Sequence, residues 1–202
     1  ALPPRLAAGL AFAPALPEPA AAALRGAPGW MAAQAKLVAV YPAPFWRAAG
    51  LSGDAISHRG PLAEIHDASP LAASPGALFG FLGVPPQARA ADPEALKSAC
   101  LAQLARLFGP EAAAPDAVLF KDWAADPATA APRDLSEPPR HPPGGLPPLS
   151  GPWSGRLRFA GSEHADPASG AAPGYVEGAL AAGEAAADAA AAALAPGGPA
   201  RP

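Results

Sequence analysis

Cysteine is almost missing. Cys100 is the only one in 202 residues, so the chain can close no internal disulfide and build no cysteine-based zinc cluster. It falls in a helical pattern and reads as a small buried hydrophobe. Positive charge is sparse: 14 Lys and Arg stand against 17 Asp and Glu, for a net charge of −3. They are scattered, which leaves no electrostatic footprint for nucleic acid. No apolar stretch is long enough to span a bilayer. The Gly-x-Gly-x-x-Gly turn that cradles a dinucleotide pyrophosphate does not occur.

Proline and glycine are abundant, at 30 and 21, and break the chain into short pieces. Half of the residues are hydrophobic, a figure inflated by alanine, which buries little surface. The chain opens in mid-pattern at Ala1-Leu2-Pro3-Pro4-Arg5. The short apolar run to Ala13 is followed by Pro14, Pro17 and Pro19, which reads as a cut polypeptide rather than a signal peptide. A true N-terminus is therefore expected to be missing.

A helix is expected near Pro19 to Arg25. Ala35 to Tyr41 is an apolar, β-rich run and reads as a strand ended by Pro42 and Pro44. Phe45-Trp46-Arg47 is an aromatic anchor and Gly50 to Gly53 a turn. Further strands are read at 60–67, 77–83, 117–123 and 155–161. A helix capped near Asp92 runs over 93–108, with Leu96, Cys100, Leu104 and Leu107 on one face. Residues 124–152 form a long Pro/Gly-rich loop. A second helix opens at Gly174-Tyr175 and runs to about Leu194. Pro196 to Pro199 ends it, and 196–202 is a flexible tail.

Three places bear chemistry. Lys36 sits inside an apolar strand, either as an edge-strand lysine that snorkels to water, the reading physics favours, or as a cation desolvated for a purpose. Gly161-Ser162-Glu163 follows a strand and precedes the helix at Gly174-Tyr175. Free N–H groups at such a helix start favour an anionic or electron-rich ligand atom, and the plain alternative is an ordinary loop with a solvated glutamate. Trp123 at a strand end either covers a flat ring or belongs to the core.

The order of these pieces carries more than each alone. Trp30-Met31, Lys36, Tyr41, Pro44 to Arg47 and Gly50 to Gly53 resemble the flavin-containing amine oxidases of the monoamine oxidase type. So do Gly60-Pro61, Asp67, Leu78 to Phe81 and Lys121-Asp122-Trp123. The most specific match closes the chain: Gly155-Arg156-Leu157, Phe159 to Glu163, Gly174 to Ala179 and Ala182-Gly183-Glu184.

The resemblance implies an α/β fold of mixed character, a partial FAD/NAD(P)-binding flavoprotein. Its expected parts are a remnant of the FAD-binding domain over 1–14, a mixed-sheet substrate-binding domain over 15–152, and a C-terminal FAD-binding segment over 153–195. It implies FAD, held non-covalently since no cysteine lies near 130–135, and oxidation of an amine to an imine with oxygen as acceptor. The implied roles are Lys36 holding a water near flavin N5 and Tyr175 aligning the amine. Trp123 lies beside the isoalloxazine, Gly161, Ser162 and Glu163 contact the ribityl side, and Val176, after Gly174, donates its N–H to the flavin edge. The second cage aromatic, expected near 130–135, is replaced by Ala130 to Leu135. The implied partners are a small-molecule amine, oxygen and the missing N-terminal FAD-binding half, with a homodimer as an option and neither nucleic acid nor membrane. The implied location is cytoplasmic. The rival expectation is a non-catalytic truncated remnant or interaction module of amine oxidase descent.

Overall fold

The computed structural model describes residues 2–72, 74–147 and 149–195. In chain order its regular elements are helices α1 (Pro4–Ala7) and α2 (Glu18–Gly26), strand β1 (Ala35–Tyr41) and helix α3 (Phe45–Ala48). Strands β2 (Ala55–Ile56), β3 (Leu62–Asp67) and β4 (Gly76–Leu82) follow, then helices α4 (Pro86–Ala91) and α5 (Pro93–Phe108), strand β5 (Ala117–Asp122) and helix α6 (Val176–Leu194). The chain divides into two compact units: Ala33–Asp126, and Ala1–Ala32 with Pro127–Pro202. The sheet-bearing unit is thus narrower than the span 15–152 expected from the sequence.

In the sheet unit the strands stand in the order β2-β3-β4-β1-β5. Every pairing is antiparallel, where a mixed sheet was expected. The α/β character of the fold class holds. The direction follows from the connections: β2, β3 and β4 meander, and α5 returns the chain to the far side of β1 running against it. Along β1 burial alternates, with Ala35, Leu37, Ala39 and Tyr41 fully inside. They share one core with Leu62, Ile65, Leu78, Cys100, Leu104 and Phe108. Cys100 is wholly buried there, and burial pushes its thiol up to about 12.

Helix α5 begins where Asp92 accepts a hydrogen bond from the Ala95 N–H at 2.9 Å. Its buried polar residue, Gln103, fits the backbone of β3: its amide accepts from Leu62 N (2.8 Å) and donates to Leu62 O (2.7 Å). A buried amide satisfied on both sides costs little, whereas half of the pair left open would cost about 1–3 kcal/mol. At the other end of β3, Asp67 accepts from the buried Trp46 indole N–H (2.9 Å), Arg47 Nε (2.7 Å) and Ser69 N (2.8 Å). Burial pushes the Asp67 carboxyl up, but the bonds from Arg47, Ser69 and Trp46 outweigh it and hold the group well below the usual range.

In the second unit an ion network joins distant stretches. Arg5 donates to Asp134 and to Glu137, and Asp134 also accepts from Gly29 N (3.1 Å) and Ala131 N (2.9 Å). The strand expected over 155–161 is not one: Gly151–Trp153 is a 3-10 turn, and residues 157–160 have no ladder partner among the described residues. Ring contacts hold this segment instead. Phe12 meets Trp153 and Phe159 edge to face at 5.9 and 6.4 Å, and the Trp153 indole donates to Pro14 O at 3.1 Å. Residues 2–14, expected as part of a remnant of the FAD-binding domain, contain the helical turn α1. Helix α6 ends at Leu194; the expected stop at Pro196 to Pro199 and the tail 196–202 lie outside the described residues.

Candidate functional site

Helix α6 starts at Val176 because Gly174, at φ +84°, turns the chain and Tyr175 takes the extended N-cap conformation. Tyr175 offers no side-chain cap, and Tyr175 and Val176 are exposed. The first-turn N–H groups of this long helix are thus unclaimed by any side-chain cap, with the positive end of its dipole behind them. The Gly174 N–H donates to Ser162 O at 3.0 Å, which ties the Gly161-Ser162-Glu163 turn to the helix start. Gly178 lets the two segments close: a Cβ there would lie 2.4 Å from Ala172 O. Gly161, Ser162, Glu163, Gly174, Tyr175 and Val176 are therefore brought together.

Within this turn the Ser162 hydroxyl donates to Glu163 Oε2 at 3.0 Å. Glu163 lines a cavity of about 210 Å³ with Pro142, Gly144, Gly145 and Leu146. The neighbouring His164 has its Nδ1 buried without a hydrogen-bond partner among the described residues, and burial lowers its pKa. His164 also borders a second cavity, of about 250 Å³, with Leu157, Phe159, Asp166 and the α6 residues Ala182 and Ala186.

The remaining two sequence-derived residues, Lys36 and Trp123, stand together in the sheet unit. Register places Ala35 opposite Asp122 and Lys36 opposite Lys121, and the Trp123 N–H donates to Gln34 O at 3.0 Å. Lys36 is not an edge-strand lysine: β1 is flanked by β4 and β5. It points away from the core, where its ammonium lies 5.1 Å from the Phe81 ring and 5.7 Å from the Phe79 ring. Trp123 is half-buried, with the Lys121 ammonium 4.6 Å from its ring centroid. On the same open face His66 accepts or donates at Glu64 (2.8 Å) and Asp54 (3.2 Å) and stacks on Phe79. These bonds, that to Glu64 foremost, raise the His66 pKa.

Two residues here carried no sequence signal. Arg89, 3% exposed, grips both oxygens of Asp122 (2.8 and 2.7 Å) and donates to Val84 O (2.6 Å) and Ala33 O (2.7 Å). It thereby fastens the segment leading into β1, which carries Lys36, to the end of β5, directly before Trp123 in its 3-10 turn. His141, inside the long loop, stacks on both Trp30 and Tyr175. The region 130–135 supplies no ring, as the sequence indicated, and Asp134 there serves the ion network. Among the described residues no group of His, Cys, Asp and Glu is arranged to hold a metal ion. No described helix is long and apolar enough to cross a membrane.

The sequence profile of the flavin containing amine oxidoreductases matches residues 1–191, and the chain belongs to that family. It is 34% identical over 125 residues to a probable flavin-containing monoamine oxidase A of Dictyostelium discoideum, covering 61% of this chain and 27% of that protein. It is 42% identical over 83 residues to a putative flavin-containing monoamine oxidase of Mycobacterium tuberculosis, covering 40% of this chain and 17% of that protein. Among solved structures, putrescine oxidase bound to putrescine superposes with a TM-score of 0.69 at 27% identity, over 95% of this chain and 42% of the other. Cyclohexylamine oxidase from Brevibacterium oxydans gives 0.69 at 28% identity with the same coverage. The chain thus spans well under half the length of each of these relatives.

Proposed function

We propose that this chain is the amine-orienting and flavin-edge part of an FAD-dependent amine oxidase, holding its flavin non-covalently. The observation that carries this is the Gly174 N–H to Ser162 O bond, which sets the Gly161–Glu163 turn against the uncapped start of α6. The donor set fits such a group: exposed first-turn N–H groups suit a ring edge that gains negative charge, and Glu163, lining a cavity, suits hydroxyls that donate to it. Nothing in the sequence provides the glycine-rich pyrophosphate cradle, so this chain would contact only part of the cofactor.

The chemistry FAD supplies when bound is acceptance of a hydride from the α-carbon of the amine, which leaves an imine for water to hydrolyse, with the electron pair passed to oxygen as hydrogen peroxide. In this reading Val176 N–H stabilises charge at the ring edge and Tyr175 orients the amine. Lys36 holds a water whose protons assist reoxidation, and Trp123 shields the ring system. The test is amine-dependent peroxide formation by the FAD-loaded enzyme. Lys36→Met should slow reoxidation of the reduced enzyme by oxygen by roughly a hundredfold or more, the scale of one general acid–base contribution; unchanged reoxidation removes Lys36 from the mechanism.

A further inference from the structure

Trp30, His141 and Tyr175 come from separate stretches of one compact unit and meet as a continuous stack of rings. The His141 and Trp30 centroids are 3.6 Å apart with planes at 29°; those of His141 and Tyr175 are 5.1 Å apart at 27°. The Tyr175 hydroxyl lies 3.3 Å from His141 Nε2. Tyr175 is 53% exposed and His141 is exposed, so burial does not hold either ring. Tyr175 makes no capping bond to its own helix, which leaves its ring free to turn unless something outside the helix fixes it.

We propose that His141 is the positioning residue of Tyr175. It covers one face of the phenol ring and engages its hydroxyl, with Trp30 backing the imidazole, so that an amine can meet only the opposite face. This rests on the reading that Tyr175 orients the amine. His141 is not itself an opposing wall, because rings 5.1 Å apart leave no room for an amine between them. With no ring supplied by 130–135, alignment depends on one fixed ring rather than on a pair. The fitting substrate class is an alkyl or alicyclic amine that rests its nitrogen end against a single aromatic face.

The sequence holds two tyrosines, Tyr41 and Tyr175, so a chain labelled with 3-fluorotyrosine gives two fluorine resonances. Tyr41 is buried in the sheet unit and reports on folding. In His141→Ala the Tyr175 line should shift toward free fluorotyrosine and narrow while the Tyr41 line stays. His141→Phe, which keeps a ring on Trp30, should hold the Tyr175 line near its original place. In the FAD-loaded chain with cyclohexylamine as probe, His141→Ala should raise KM about fivefold with the flavin spectrum unchanged, and His141→Phe should restore it. A Tyr175 line unmoved by His141→Ala overturns the proposal, as does a released ring with unchanged KM. A chain that binds no FAD sinks the functional reading, and the catalytic meaning of the stack with it. The fluorine spectra still decide whether His141 fixes the ring.

Discussion

At the scale of single residues, the polar groups of Gln103, Asp67 and Trp46 in the sheet unit have partners, and their loss has predictable cost. Asp67→Ala leaves the fully buried Trp46 indole N–H without its acceptor, and should cost about 2–3 kcal/mol by urea unfolding. The Asp67 pKa is depressed in the fold, so its contribution is present above the ordinary carboxylate value and lost as pH falls toward the folded one. Stability should therefore drop on acidification below about pH 4, and Asp67→Asn should flatten that drop. Tyr41 behaves oppositely. Burial pushes its phenol up to about 12, so its contribution is complete below the ordinary value of 10.0 and lost as pH rises to about 12. Tyr41→Phe should remove part of that alkaline loss at a cost of about 1 kcal/mol for the bond to Ala112 O, as equilibrium unfolding at pH 8 and 11 would show. His164 gives the acid-side signal of its own unit: burial lowers its pKa, so stability is present above about 6.5 and declines as pH falls below it.

At the scale of elements, what was legible in the sequence was local. The apolar, β-rich run 35–41 became β1 with the expected ends, and the one-faced apolar period with Asp92 before Pro93 became α5 over 93–108. The two-residue β2 and the short α4 were missed because neither is long enough to show a period. The strand expected at 155–161 failed for the converse reason: a β-like run pairs only if a partner edge is present, and sequence does not announce one. The site divided in the same way. Residues at a helix start or strand end were readable, while Arg89 and His141 act through contacts with Asp122 and Tyr175, more than thirty positions away in each case. Gly178→Ala raises helix propensity by roughly 1 kcal/mol, yet its Cβ would strike the Ala172 carbonyl. It should destabilise α6 against the loop, lowering the thermal midpoint. A raised midpoint would mean that the contact between α6 and the 165–172 stretch is not tight.

At the scale of the whole chain, the two compact units hold different groups of candidate residues. The sheet unit holds Lys36 and Trp123 through the Arg89–Asp122 clasp, and the other unit joins the Gly161–Glu163 turn to the start of α6. The relatives are much longer than this chain, which spans 42% of each solved oxidase compared. The proposed function gives this chain a partial but specific cofactor contact at the start of α6. The most direct test is titration of the 202-residue chain with FAD, followed by flavin fluorescence, alongside a variant in which Val176→Pro removes the first-turn N–H at a helix position that tolerates proline. Saturable quenching by the folded chain is expected, with weaker binding by Val176→Pro and its circular dichroism intact. Saturable binding equally strong in the variant, or none by a chain whose dichroism shows it folded, would contradict the placement of the flavin edge at the start of α6.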